Sequence, residues 1–313
     1  MISFEKVGVI GAGSYGTAIA QCFSRKAKEV LLVSDNEDVS VLINELHMNP
    51  NFIPGVLLSE NISCTCSFSQ IKNSDIIFVA VPVSAIVSVF QQIKQRGITV
   101  PIVLCSKGFC IENGSLQSTV FEEILDNEYA IFSGPSFAHE ISRGLPAGVN
   151  IAGKNYELSV RVAECLASKM FHIEPINDHI GLQVAGALKN VLAIGCGIFL
   201  KLNFGNSAVA KLMVDGLREM SELAVALGGQ QSTIYGLGGI GDAILTCTSR
   251  QSRNILFGEH LASGGTIDNW CGPLAEGVFA ASVIPMLEQN HDINLKIFSQ
   301  IHKIIHEKKN VMK

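Results

Sequence analysis

Residues 7–16 read Val-Gly-Val-Ile-Gly-Ala-Gly-Ser-Tyr-Gly, an apolar run that passes directly into the pattern Gly-x-Gly-x-x-Gly. The apolar residues before Gly11 are typical of a buried strand, and residues 17–26 continue with helical spacing. Glycines between a strand and a helix permit a tight turn and let the backbone approach a pyrophosphate, which the helix N-terminus attracts. We therefore predict a dinucleotide-binding loop formed by Gly11, Gly13, Ser14, Tyr15 and Gly16.

The same glycine spacing recurs at Gly236, Gly238 and Gly241, so the bare pattern is weak evidence. This second copy lies among segments with helical spacing, and no strand of the predicted sheet precedes it. We interpret it as a connector between helices.

Short apolar runs alternate with amphipathic segments up to about residue 176, a pattern typical of a parallel sheet flanked by helices. The predicted strands cover residues 6–10, 29–34, 75–81, 102–106, 129–133, 148–152 and 171–174. After His179 the apolar residues follow helical spacing. We predict an α/β fold with a Rossmann-type, doubly wound and mostly parallel sheet in residues 1–176. An all-helical domain in residues 177–313 follows it.

The composition limits the class of protein. The chain has 313 residues, 48% of them hydrophobic and 16% charged, which is typical of packed globular domains. The longest clean apolar run, residues 191–200, is shorter than a membrane span, and the N-terminal residues lack the pattern of a signal peptide. A net charge of −5 argues against nucleic-acid binding. We expect no membrane span and a small-molecule partner.

The cysteines indicate the compartment. There are nine, an odd number, without any Cys-x-x-Cys pair, which favours reduced thiols in the cytoplasm. Cys64 and Cys66 form a close pair, but no further cysteine or histidine lies nearby in the sequence to complete a metal site. We expect a cytoplasmic protein without a bound metal. The sequence does not decide the oligomeric state, and a homodimer is left open.

Asp35 follows the second predicted strand, 19 positions after Gly16. In dinucleotide-binding folds an acidic residue at this distance binds the ribose hydroxyls and repels the 2′-phosphate of NADP. Residues 29–71 contain no lysine or arginine. We therefore predict NAD as the preferred cofactor, with NADP left open because cations from elsewhere in the fold can reach the site.

Lys189 lies in the mostly apolar segment 185–194. Burial lowers the pKa of an ammonium group towards neutrality, which suits an acid that protonates a carbonyl oxygen as hydride arrives. The alternative is a lysine whose long side chain reaches the surface, and composition alone does not separate the two interpretations.

Several polar residues of the helical half are suited to a phosphorylated substrate. Arg253 offers a planar, bidentate cation, and Ser252 and Asn254 offer further hydrogen bonds, while Asp242 supplies a carboxylate. Lys107 follows the strand at residues 102–106, where parallel sheets bind ligands. Taken singly, each of these residues is more often a solvated surface residue.

At these residues the sequence resembles the NAD(P)-dependent glycerol-3-phosphate dehydrogenases of the bacterial soluble type. The matching strings begin with Gly-Ala-Gly-Ser-Tyr-Gly-Thr at 11–17, Ser-Lys-Gly at 106–108 and Ser-Gly-Pro-Ser-Phe-Ala-His-Glu at 133–140. They continue with Ala-Leu-Lys-Asn-Val at 187–191, Gly-Leu-Gly-Gly-Ile-Gly-Asp at 236–242, Leu-Thr-Cys-Thr-Ser-Arg-Gln-Ser-Arg-Asn at 245–254 and Ala-Glu-Gly at 275–277. Together the strings cover nearly the whole chain in the family's order.

The resemblance implies reversible hydride transfer between NAD(P)H and dihydroxyacetone phosphate, giving sn-glycerol 3-phosphate for phospholipid synthesis. It implies that Lys189 is the general acid and base, assisted by Asp242. The implied substrate residues are Lys107, Gly134, Ser136, Lys189, Asp242, Ser252, Arg253 and Asn254. The implied cofactor residues, besides the glycines, are Ser14, Tyr15, Asp35, Lys107, Ala138, Arg253, Leu274 and Glu276. Asp35 departs from many family members, which carry a residue tolerant of NADP at this place.

Two alternatives use the same glycine loop. One is a dehydrogenase of the same two-domain plan that acts on a hydroxy acid or a nucleotide sugar, which would not need the phosphate-binding group Ser252, Arg253 and Asn254. The other is a sensor that binds NADH without turnover, which need not keep Lys189 together with Asp242.

Overall fold

A computed structural model describes residues 4–307. Its eight strands are β1 (Lys6–Ile10), β2 (Glu29–Val33), β3 (Ile62–Thr65), β4 (Ile76–Val79), β5 (Ile102–Leu104), β6 (Tyr129–Ser133), β7 (Ala147–Gly153) and β8 (Phe171–Pro175). They form one sheet in the order β3-β2-β1-β4-β5-β6-β7-β8. Strand β1 pairs in parallel with β2 and with β4, so the chain progresses to one side of β1 and then to the other. In open parallel sheets, ligands bind outside the carboxyl ends of the strands at such a reversal, which here lies between β1 and β4.

The helices before residue 180 are α1 (Ser14–Phe23), α2 (Glu37–Leu46), α3 (Ile86–Gln95), α4 (Gln117–Ile124), α5 (Ala138–Ser142) and α6 (Tyr156–Leu166). The later helices are α7 (His179–Lys201), α8 (Asn206–Ala226), α9 (Gln231–Ile234), α10 (Asp242–Thr248), α11 (Arg253–Ala262), α12 (Glu276–Ser282), α13 (Ile284–His291) and α14 (Lys296–His306). The predicted fold class is confirmed, because the sheet is mostly parallel and every regular element described after β8 is helical.

The predicted strands all occur, and their ends differ by at most two residues from the prediction. Strand β4 is buried along its whole length, as expected for a strand covered on both faces. Strand β3 is not among the predicted strands; it is an edge strand in which buried and exposed residues alternate. Helix α1 begins at Ser14 rather than at residue 17, because the extended Gly13 directly precedes its first turn.

Helix α7 is the central helix of the helical half. Its residues 181–198 are all buried, which is typical of a core helix that is apolar on every side. Among residues 4–307 it is the one helix long and apolar enough to cross a membrane by length and composition, and 94% of its most apolar 18-residue window is buried in the protein. In the sequence, the longest uninterrupted apolar run covers only residues 191–200, because Lys189 and Asn190 interrupt the apolar pattern of this helix.

Contacts between Cα atoms divide the chain into two compact units. Within the described residues, the first comprises residues 4–106, Phe121–Phe132 and Ser136–His179, and the second comprises Lys107–Val120, Ser133–Pro135 and residues 180–307. The sequence analysis placed residues 107–120 and 133–135 with the first domain. They group with the second unit instead, because side chains such as Phe109 and Leu116 belong to its apolar core. The two predicted domains include residues 1–3 and 308–313, which lie outside the described residues.

Candidate active site

The glycine loop connects β1 to α1, as the sequence predicts. The backbone amide of Gly11 donates to Val33 O at 2.9 Å, and its φ of +106° lies in a region that side chains rarely adopt. A Cβ atom on Gly11 would lie 2.6 Å from Ala80 O, and one on Gly16 would lie 1.8 Å from Gly11 O. Larger residues at either position would push α1 away from the strands.

One side of this loop is open at Gly13. A Cβ atom on Gly13 would meet no heavy atom within 4 Å, so a ligand can approach the backbone at this point. Gly13 is extended and caps α1, whose first amides attract an anion. The Ser14 hydroxyl donates to Phe52 O at 3.0 Å, and the hydroxyls of Tyr15 and Ser136 lie 3.1 Å apart. The structure therefore brings Ser136 to the predicted cofactor loop.

Two other predicted cofactor residues belong to the same unit. Asp35 is exposed two residues after the end of β2. Ala138 is the first residue of α5 and is partly buried against the core of this unit.

In the second unit, Lys189 is buried and its ammonium group donates to two oxygen atoms. Its Nζ donates to Asp242 Oδ1 at 2.5 Å and to Thr246 Oγ1 at 2.8 Å. Only 6% of Lys189 is exposed, so the alternative of a lysine that reaches the surface is wrong. Helix α7 supplies this lysine from the core, and α10 supplies both of its partners.

Asp242 is shared by two lysines. Its Oδ2 accepts from Lys107 Nζ at 2.8 Å, while Oδ1 accepts from Lys189, and the carboxylate side chain is only 2% exposed. The Lys107 ammonium also lies 3.4 Å from Gly134 O, which the resemblance assigns to the substrate. The structure therefore brings Lys107, Gly134, Lys189 and Asp242 into one cluster.

The charges of this cluster change the pKa values of its members. Burial lowers the pKa of Lys189 to about 8; Asp242 opposes this shift and the nearby Lys107 ammonium adds to it. Burial opposes ionisation of Asp242, but the two lysines outweigh it and hold the pKa of this carboxyl below its usual value. At neutral pH the cluster therefore holds a carboxylate between ammonium groups, one of which loses its proton slightly above neutrality.

Thr246 is a member of this cluster that the sequence analysis missed. Its hydroxyl accepts from Lys189 Nζ and donates to Asp242 O at 2.7 Å. A sequence signal was available, because Thr246 lies four residues after Asp242 and such pairs share one face of a helix.

The predicted phosphate-binding residues lie at the start of α11. Ser252 is the N-cap, and its hydroxyl accepts from Ile255 N at 3.4 Å. Arg253 is the first residue of the helix and is exposed. Asn254 is buried; its Nδ2 donates to Asn190 Oδ1 and its Oδ1 accepts from Gly277 N, each at 3.0 Å. The Asn254 side chain on α11 therefore forms hydrogen bonds with residues of both α7 and α12.

Leu274 lies two residues before α12, and Glu276 is the first residue of that helix. Burial raises the pKa of Glu276, and the positive charge of Arg253 opposes this shift, so the two side chains are close enough to interact. Leu274 is 42% exposed.

The second glycine pattern forms a π-helical turn, Leu237–Gly241, that leads into α10. A Cβ atom on Gly239 would lie 2.1 Å from Ile234 O, so this glycine allows close packing of backbone. Such turns are frequent at functional sites, and this one places Asp242 at the first position of α10.

Both halves of the chain match one family. Residues 6–159 match the sequence model of the N-terminus of NAD-dependent glycerol-3-phosphate dehydrogenase, and residues 178–313 match that of its C-terminus.

Individual relatives agree with this match. The chain is 37% identical to glycerol-3-phosphate dehydrogenase [NAD(P)+] of Caulobacter vibrioides, over 97% of this chain and 93% of that one. The crystal structure of glycerol-3-phosphate dehydrogenase from Coxiella burnetii has a TM-score of 0.93 at 32% identity, over 99% and 97% of the two chains. The enzyme from Saccharomyces cerevisiae has a TM-score of 0.86 at 24% identity, over 99% and 98%, which shows the shared fold.

Proposed function

The chain belongs to the NAD-dependent glycerol-3-phosphate dehydrogenase family, and on that premise we propose that Lys189 protonates dihydroxyacetone phosphate during its reduction to sn-glycerol 3-phosphate. The chain is an NAD(P)-dependent oxidoreductase, and the family resemblance noted in its motifs is confirmed. The observation that supports the role of Lys189 is its burial in hydrogen-bond contact with Asp242 and Thr246.

The proposed reaction needs one hydride and one proton. The reduced nicotinamide supplies the hydride to the carbonyl carbon of the substrate. Lys189 gives the proton from Nζ to the carbonyl oxygen and is left as a neutral amine, which regains a proton from solvent. In the reverse direction the neutral amine takes the hydroxyl proton.

Asp242 and Thr246 position this acid. Lys107 Nζ and Lys189 Nζ each contact a different oxygen of the Asp242 carboxylate, and the Thr246 hydroxyl donates to the main-chain O of Asp242. The carboxylate raises the pKa of Lys189 and so opposes the loss of the proton that burial favours. Lys107 provides a second positive charge, which suits the developing alkoxide or the substrate phosphate.

The start of α11 supports a phosphate-binding role. The helix N-terminus offers backbone amides, and Arg253 adds an exposed guanidinium at the first turn. We assign the substrate phosphate to Arg253 and Asn254, with Ser252 beside them. Gly134 and Ser136 stay proposed substrate residues on the family resemblance.

The glycine loop and its neighbours are assigned to the dinucleotide. The open backbone at Gly13 and the helix N-terminus support placing the pyrophosphate there. The further proposed contacts are Ser14, Tyr15, Asp35, Lys107, Ala138, Arg253, Leu274 and Glu276.

We expect NADH to be preferred over NADPH by about fivefold or more in kcat/KM, because an exposed carboxylate at Asp35 repels a 2′-phosphate by about 1 kcal/mol or more. Steady-state assays with dihydroxyacetone phosphate and each cofactor measure this ratio. Asp35→Ser should narrow it, whereas Asp38→Ser, a matched change at another exposed aspartate, should leave it unchanged. A preference of the unmodified enzyme for NADPH would contradict the assignment.

We expect the kcat/KM for dihydroxyacetone phosphate reduction to fall as the pH rises through about 8, where Lys189 loses its proton. The reverse reaction, oxidation of glycerol 3-phosphate, should gain in kcat/KM through the same pH range because it needs the neutral amine. Initial rates in both directions between pH 6.5 and about 9.5 measure the two profiles. Parallel profiles without opposite trends would argue against a single titrating acid.

We further propose that the product serves phospholipid synthesis and that the enzyme works in the cytoplasm. All nine cysteines carry free thiols, which agrees with a reducing compartment.

A further inference from the structure

Asn49, which lies between α2 and β3, holds the glycine loop from its protein side. The residue has no exposed surface, and its Nδ2 donates to Ala12 O at 2.9 Å and to Thr17 Oγ1 at 2.8 Å. The Thr17 hydroxyl in turn donates to Ala12 O at 3.2 Å. The carbonyl of Ala12 therefore accepts two hydrogen bonds from buried side chains within the loop's own unit.

Fixing this carbonyl also fixes the next amide. No described peptide bond is cis, and in a trans peptide the C=O and the following N–H point in opposite directions. With Ala12 O held towards Asn49 and Thr17, the N–H of Gly13 points away from them. The position of Gly13 borders open space, where a Cβ atom would meet nothing within 4 Å.

The segment that carries Asn49 is itself tied down. Asn49 O accepts from Ile53 N at 2.9 Å, and Leu58 N donates to His47 O at 2.7 Å, which closes the base of the segment. Ser14 Oγ at the start of α1 donates to Phe52 O in the same segment. These contacts hold the Asn49 amide at a defined place behind the loop.

Packing alone does not explain why an asparagine occupies position 49. Asn49 Oδ1 is buried and has no hydrogen-bond partner among residues 4–307. A buried amide oxygen without a partner destabilises the fold, so the oxygen does not explain the presence of this side chain. What the amide supplies instead is two directed N–H donors, both aimed at the glycine loop.

We propose that Asn49 is a positioning residue for dinucleotide binding, which acts with Thr17 by orienting the Ala12–Gly13 peptide so that the Gly13 N–H faces the cofactor pyrophosphate. The proposal rests on the placement of the dinucleotide on the glycine loop given above.

The test compares Asn49→Leu and Thr17→Val, which remove the donors or the hydroxyl at nearly constant volume, with two controls. Asn51→Leu makes the same change at an exposed asparagine of the same segment, and Thr17→Ser keeps the hydroxyl. Calorimetry gives the Kd for NADH and for ADP-ribose, which carries the pyrophosphate without the nicotinamide. Kinetics give kcat at saturating NADH and the KM for dihydroxyacetone phosphate.

Asn49→Leu and Thr17→Val should each raise the Kd of both ligands by roughly tenfold, with kcat at saturating NADH and the KM for the substrate close to wild type. Thr17→Ser and Asn51→Leu should bind as the wild type does. If Asn49→Leu fails to fold, the near-isosteric Thr17→Val decides on its own.

Unchanged Kd values in Thr17→Val and in any folded Asn49→Leu would overturn the proposal, as would a loss of kcat in parallel with binding, which indicates a general structural defect. Failure of the wild type to bind ADP-ribose would instead contradict the proposed placement of the dinucleotide on the glycine loop.

Discussion

Replacing Lys189 by Met should lower the kcat of dihydroxyacetone phosphate reduction by about 10²–10⁴-fold, the usual contribution of a general acid, while the Kd for NADH should stay close to the wild-type value. Methionine suits the apolar surroundings of α7, so the fold should tolerate it. Steady-state assays and NADH titrations measure the two quantities. Lys211→Met, which removes a lysine that is 77% exposed on α8, is the matched control and should keep full activity.

Lys189→Arg separates proton transfer from simple charge. Arginine keeps the positive charge but does not give up its proton at any assay pH. If Lys189 acts as the acid, this variant should be as inactive as Lys189→Met. A kcat above about one tenth of the wild-type value in Lys189→Arg would show that charge suffices and would refute the proton-donor role.

Asp242→Asn should lower kcat by about 10²-fold or more and the free energy of unfolding by about 3–5 kcal/mol. The reason is that Lys107 and Lys189 would lose the carboxylate that both of them contact, and a buried ammonium group without a counter-charge is destabilised. Enzyme assays and urea denaturation measure the two losses. The pH at which reduction declines should also move below 8, because Asp242 raises the pKa of Lys189.

Asp215→Asn is the matched control for this change. Asp215 forms ion pairs with Lys211 and Arg218 on α8, and the side chains of these two partners are mostly exposed. Removal of such a surface charge should cost at most about 1 kcal/mol and leave the pH profile unchanged. If Asp242→Asn behaved like this control, Asp242 would have no special part in holding the proton on Lys189.

Most of the sheet could be predicted because its buried strands have a local signature. Strand β4 is a continuous apolar run, and such runs identify strands covered on both faces. Strand β3 was not predicted because it lies at the sheet edge, where only alternate residues are buried and the apolar pattern in the sequence is weak. Residues 107–120 and 133–135, which belong to the second unit, were assigned to the first domain for a related reason. The sequence of an apolar segment does not indicate which of two hydrophobic cores it packs into.

The candidate site was predictable residue by residue but not as an arrangement. Lys189 stood out as a charge in an apolar helix, and the glycine loop stood out by its strand and helix context. The sequence spacing of Thr246 from Asp242 placed them on one face, yet only the structure shows that the threonine hydroxyl contacts Lys189. Asn49 has no motif around it that marks a functional residue.

The sequence by itself determined the order of the elements, the dinucleotide loop and the ionisable groups available for chemistry, because these depend on residue type and local periodicity. Tertiary structure alone decided that one carboxylate contacts two lysines, one of them 135 residues and the other 53 residues away. It also decided that an asparagine 37 residues beyond Ala12 orients the glycine loop's carbonyl. Hydrogen bonds over such separations depend on how whole helices and strands pack, and the local pattern of a sequence does not contain that packing.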